Sequence, residues 1–94
     1  MAFWTYILRC SDGAYYTGHT DNLEQRIGQH QLGEIPGFTS ERRPVQLVFS
    51  QEFSAREEAL RAELKIKSWS RAKKEALIRG DWEALQLAAK KKFD

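Results

Sequence analysis

Between Cys10 and Ala14 the chain reads Ser11-Asp12-Gly13, turn chemistry set between two short runs of aromatic and β-branched residues. Gly13 can take the positive φ of a tight reversal, and Asp12 can bond its own backbone. Phe3 to Cys10 (FWTYILRC) and Ala14 to Thr20 (AYYTGHT) therefore predict the two strands of an antiparallel hairpin. The length of the loop decides where the tyrosines go. With three residues in it, Cys10 faces Ala14, Tyr6 faces Gly18, and Tyr16 lies diagonal to Tyr6 on the same sheet face. A two-residue Asp12-Gly13 loop would slip the register by one and put the tyrosines on opposite faces. The expectation is the three-residue loop, or a bulge equivalent to it.

Asp21-x-x-Glu24 reads as a capping box with Asp21 as N-cap, opening a helix that runs to about Gln31 and stops at Gly33. Its inward stripe follows Leu23, Arg26, Ile27 and His30. Two of these four positions are polar, which a helix built only for packing would not choose. Gly33 to Pro44 is a loop carrying Arg42-Arg43. Val45 to Glu52 predicts a third strand, with Val45, Leu47 and Phe49 alternating against Gln46 and Ser50. Ser54-x-x-Glu57 is a second capping box, opening a helix through about Ser68. Ala59, Ala62, Ile66 and Trp69 mark its core side, and Glu63 stands among them. Ser70 caps a short helix ending before Gly80, and Asp81 caps a last one from Trp82 to about Lys91. The sum is an α+β fold: a small three-stranded, mainly antiparallel sheet, made of a hairpin plus a later strand, flanked by about four helices.

The 94 residues suffice for one modest core, so 1–94 is expected to be a single domain with a basic C-terminal helix over 82–94. No apolar run approaches the roughly 20 residues that span a bilayer, and no membrane partner is expected. The N-terminus has neither a basic leader nor a small-residue cleavage site, consistent with a strand. A lone Cys10 excludes an internal disulfide and suggests a reduced, cytoplasmic setting. Cys10 has no base beside it in the sequence, so it reads as a small buried hydrophobe rather than a nucleophile. The net charge of +2 says little, but Lys65, Lys67, Arg71, Lys73, Lys74 and Lys90 to Lys92 concentrate basic charge in the C-terminal half. Such runs are more often solvated helix faces than phosphate-tracking surfaces.

Tyr6, Tyr16, Arg26, His30 and Glu63 thus stand out, and each has a plain structural reading. Strand tyrosines are common, an arginine beside a core stripe snorkels or pairs, and a histidine suits a helix C-terminus. Glu63 can pair with Lys67 at i+4. From pattern alone, a structural Arg26–Glu63 pair accounts for these residues as well as a site does.

Their order adds a resemblance. Thr5-Tyr6-Ile7 and Tyr16-Thr17-Gly18, then Asn22-Leu23-Glu24-Gln25-Arg26-Ile27, Phe38-Thr39 and Arg42-Arg43-Pro44, resemble the GIY-YIG nuclease family. The likeness continues through Glu58-Ala59-Leu60, Glu63 to Lys67 and Ser70 to Ile78, and is nearest to the small stand-alone bacterial YhbQ-like branch. It spans roughly Phe3 to Trp82. Thr5 and Thr17 depart from the family's name-giving triplets, but both tyrosines and Gly18 are intact.

The resemblance implies an endonuclease that hydrolyses phosphodiester bonds of nucleic acid, DNA above RNA, with one divalent metal. Mg²⁺ is expected, with Mn²⁺ able to substitute. It implies Glu63 as the metal ligand, Arg26 on the scissile phosphate, and Tyr6 as general base or relay. Tyr16 would orient water or phosphate, and His30 would shuttle a proton or touch the phosphate. His19 falls where some members carry lysine and could donate to phosphate; Thr39, Arg42 and Arg43 would hold the strand. A monomer is expected, with specificity coming from substrate shape or a protein partner. The alternatives are a nucleic-acid-binding module with little turnover, or an accessory protein-interaction domain using Trp82 or Phe93.

Overall fold

The computed structural model describes residues 1–85. The far end of the expected last helix, with Lys90 to Lys92 and Phe93, lies outside the described residues. The elements are β1 (Phe3–Arg9), β2 (Tyr15–Thr20), α1 (Leu23–Gln31), β3 (Gln46–Phe53), α2 (Arg56–Lys67) and α3 (Arg71–Arg79). A further helical stretch opens at 82, capped by Asp81, whose Oδ1 accepts from the Ala84 amide at 3.0 Å. The sheet is antiparallel, in the order β2-β1-β3.

The hairpin closes with the three-residue loop. The Cys10 amide donates to Ala14 O at 2.8 Å, and Gly13 takes φ +87°. Tyr6 therefore faces Gly18, and Leu8 faces Tyr16. Because alternate residues point to opposite faces, β1 is buried on both. Tyr6, Leu8 and Cys10 pack with Val45 against Tyr16 and the α1 residues Leu23 and Ile27. Ile7 packs on the other side with Ile66 of α2 and Leu77 of α3, joined by Tyr15, Phe49 and Trp69. The Tyr15 hydroxyl donates to Glu75 Oε2 at 3.1 Å, so the third tyrosine ties β2 to α3.

Three local expectations need correction. The N-cap of α1 is Asn22, whose Oδ1 accepts from the Gln25 amide at 3.1 Å. Asp21 instead pairs with Arg56 at 3.2 Å. At α2 the N-cap is Ala55, with no side-chain cap, and the Ser54 hydroxyl turns to Glu58. The alternation of β3 breaks at a bulge: Ile7 faces Phe49 while Leu8 faces Leu47. Val48 is thus the extra residue, and both Val48 and Phe49 reach the Ile7 cluster. Ser70 does cap α3, and Gly80 ends it in the left-handed conformation.

The position opposite Tyr6 has room only for glycine. A Cβ on Gly18 would lie 2.6 Å from Tyr6 Oη and 3.2 Å from Tyr16 Cε2. Tyr6 is 2% exposed and cannot swing away freely. Gly18→Ala should therefore cost about 1–3 kcal/mol, the usual range for overpacking a filled site. Urea unfolding measures it, and an unchanged stability would contradict this close approach.

Candidate active site

On the α1 face the Tyr6 hydroxyl lies 3.0 Å from His30 Nε2, and His30 Nδ1 lies 2.7 Å from Thr39 Oγ1. All three side chains are buried. α1 supplies His30 from its last turn, and the following loop folds back to bring Thr39 against it. Two proton arrangements satisfy this chain. Either Tyr6 O–H donates to Nε2 and Nδ1–H donates to Thr39, or Thr39 O–H donates to Nδ1 and Nε2–H donates to Tyr6. Tyr16 flanks the chain, its ring centroid 5.0 Å from that of His30 and 6.4 Å from that of Tyr6. Phe38 covers Tyr16 from the loop at 6.2 Å.

Burial, then the neighbouring Tyr16, pushes the Tyr6 phenol well above the ordinary tyrosine range; Arg26 opposes this and Glu63 reinforces it. Burial, then Arg26, holds His30 below the ordinary histidine value. At neutral pH the chain therefore holds a protonated phenol and an uncharged imidazole.

Arg26, one turn before His30, is half-buried and has no carboxylate within ion-pair distance among the described residues. The structural Arg26–Glu63 pair is thus absent.

Glu63 lies on the other side. His19 pairs with Thr5, so its side chain shares the α2 face, and its Nδ1 lies 2.8 Å from Glu63 Oε1. Lys67, at i+4, holds Glu63 Oε2 at 3.2 Å. The tyrosines and the carboxylate thus occupy opposite faces of β2, an outer strand of the sheet.

Of the other residues expected to hold a strand, Thr39 is buried with its hydroxyl on His30. Arg42 clamps the loop to the hairpin turn: its Nε meets Asp12 Oδ2 at 3.0 Å, and its guanidinium lies 4.0 Å from the centre of the Phe38 ring. Arg43 is exposed, with Nε donating to Ser40 O at 3.1 Å. Sequence pattern alone does not single out Phe38 or Gln31 as site residues. Gln31 braces the loop's far end through both backbone groups of Val45, and its position at the helix terminus gave no periodic signal.

The model of the GIY-YIG catalytic domain matches residues 2–76. The chain belongs to the GIY-YIG family. Its relatives include UPF0213 proteins of Halobacterium salinarum, 44% identical over 78% of this chain and 95% of the relative, and of Staphylococcus saprophyticus, 45% identical over 80% and 92%. The NMR structure of a UPF0213 protein from Bacillus halodurans is 40% identical, with a TM-score of 0.56 over 89% of this chain and 93% of that one. An E. faecalis protein solved by NMR is 33% identical, with a TM-score of 0.60 over 85% of each chain.

GIY-YIG nucleases act on nucleic acid and use divalent metals. The donor set here fits such an ion: one carboxylate whose two oxygens are engaged only by His19 and the half-exposed Lys67. No group of three or more metal-binding side chains occurs among the described residues, so water and substrate would complete the shell.

The buried imidazole has a measurable signature. Its proton affinity in the fold is below the unfolded value of 6.5. As pH falls below that value the unfolded chain takes up a proton that the folded chain refuses, so stability is lost towards acid. Wild type should lose urea midpoint below about pH 6.5 more steeply than His30→Gln. Parallel pH profiles for the two proteins would contradict a neutral buried His30.

Proposed function

We propose that this chain is a metal-dependent endonuclease hydrolysing phosphodiester bonds in nucleic acid, DNA foremost. The observation that carries the reading is Arg26: a half-buried cation with no carboxylate partner among the described residues, whose charge acts on both Tyr6 and His30. Arg26 grips the scissile phosphate through two oxygens and stabilises the charge that develops there. Tyr16 orients the attacking water or a phosphate oxygen.

Tyr6 acts as a relay. Its phenol stays protonated at neutral pH, so it takes the water's proton while passing its own to His30 Nε2, with Nδ1–H anchored on Thr39. A bound phosphate helps this transfer, because it offsets the Arg26 charge that otherwise disfavours a protonated His30. Glu63 would hold the divalent ion, which when bound would supply charge neutralisation at the phosphate and activate a water. Arg43 and the exposed lysines of α2 offer sequence-independent contacts to the strand. Specificity then comes from nucleic-acid shape or from a protein partner.

The burial of Tyr6 favours a second reading, a binding module with little turnover. Cleavage of labelled single-stranded, duplex and branched DNA and of RNA, with Mg²⁺ or Mn²⁺ and then with EDTA, separates the two. Wild type should cut at least one substrate only with metal. Glu63→Gln and Arg26→Lys should each lower the rate at least about 100-fold, the scale of losing one transition-state contact. Folded wild type that binds all substrates and cuts none would leave the binding module.

A further inference from the structure

We propose that His19 is a second protein ligand of the divalent ion, through Nδ1, and that this site favours a first-row transition ion over Mg²⁺. The inference rests on the metal-site reading of Glu63 and adds a residue and an ion class to it.

The geometry is fixed by the scaffold. Thr5 stands opposite His19 in the sheet, and the Thr5 hydroxyl donates to Ala59 O at 2.7 Å in a buried bond. Ala59 lies one helical turn before Glu63 on the same face of α2. β2, β1 and α2 are thereby locked together where His19 meets Glu63. The two donor atoms, Nδ1 and Oε1, stand 2.8 Å apart. Two ligands each about 2.1 Å from one ion at a right angle stand about 3.0 Å apart. An ion to one side of the Nδ1–Oε1 line can therefore reach both atoms at their present separation, once the imidazole turns its lone pair towards it.

Charge and access agree with this. Lys67 already holds Oε2, leaving Oε1 to the ion. His19 binds as the Nε2–H tautomer, so the Nδ1 lone pair meets the ion where the ring otherwise bonds Glu63 Oε1. The His19 side chain is 24% exposed and that of Glu63 10%, open enough for a partly hydrated ion to enter. An imidazole nitrogen in the shell selects for Fe²⁺, Ni²⁺ or Zn²⁺, whereas Mg²⁺ prefers oxygen alone.

Pulsed EPR of Mn²⁺ bound to the full chain, without nucleic acid, tests this independently of turnover. Wild type should show nitrogen-14 modulation from a coordinated imidazole, converted to the nitrogen-15 pattern when histidine is labelled. The chain has two histidines, so His30→Gln should keep the signal and His19→Gln should lose it. In calorimetry, His19→Gln should weaken Ni²⁺ binding by at least about tenfold, the scale at which even outer-sphere partners of a metal matter, with Mg²⁺ little changed. Mn²⁺ that binds in a Glu63-dependent way without nitrogen modulation overturns the ligand role of His19 and leaves the nuclease reading standing. Absence of any Glu63-dependent Mn²⁺ binding overturns both.

Discussion

Tyr6 lies over the backbone of Gly18, and the geometry of the site follows from that contact. The missing Cβ lets the phenol sit flat enough on β2 to reach His30, which in turn reaches Thr39. The same register places His19 beside Thr5 and turns it towards α2 and Glu63. A slip of one residue would reverse both assignments together. The three-residue loop, with Gly13 in a left-handed conformation, therefore sets the chemistry as well as the fold.

The site has two halves with different electrostatic character. On the α1 side a buried, uncharged Tyr6–His30–Thr39 chain adjoins the Arg26 cation. On the α2 side the Glu63 carboxylate is held by a lysine and an imidazole. A phosphodiester bridging the rim of β2 would meet the cation from one side and the metal from the other. Burial of the phenol costs it acidity, which is why a relay into His30 suits Tyr6 better than a free phenolate does.

Much of this was legible in the sequence because short-range rules governed it. Turn chemistry set the hairpin, period 3.6 put Arg26 and His30 on the inner face of α1, and Ser70 and Gly80 bounded α3. The misplaced caps have local causes. Asp21 and Asn22 are both good caps, and a Thr20 hydroxyl accepting from the Asn22 amide at 3.1 Å favours the second. The division of the tyrosines and Glu63 between two faces was not legible, since period 2 orders one strand but does not say where a later helix packs. The Arg42–Asp12 pair was not legible for the same reason: its partners are 30 residues apart, and no local pattern announces such a pair.

The central claim, that one phosphate bridges Arg26 and Glu63 across β2, is tested most directly by a crystal structure with an uncleavable phosphorothioate oligonucleotide and Mn²⁺. The expected result is a phosphate held by the Arg26 guanidinium, with the ion on Glu63 at the rim of the sheet. An oligonucleotide bound elsewhere, with Arg26 free of phosphate and no ion on Glu63, would contradict it.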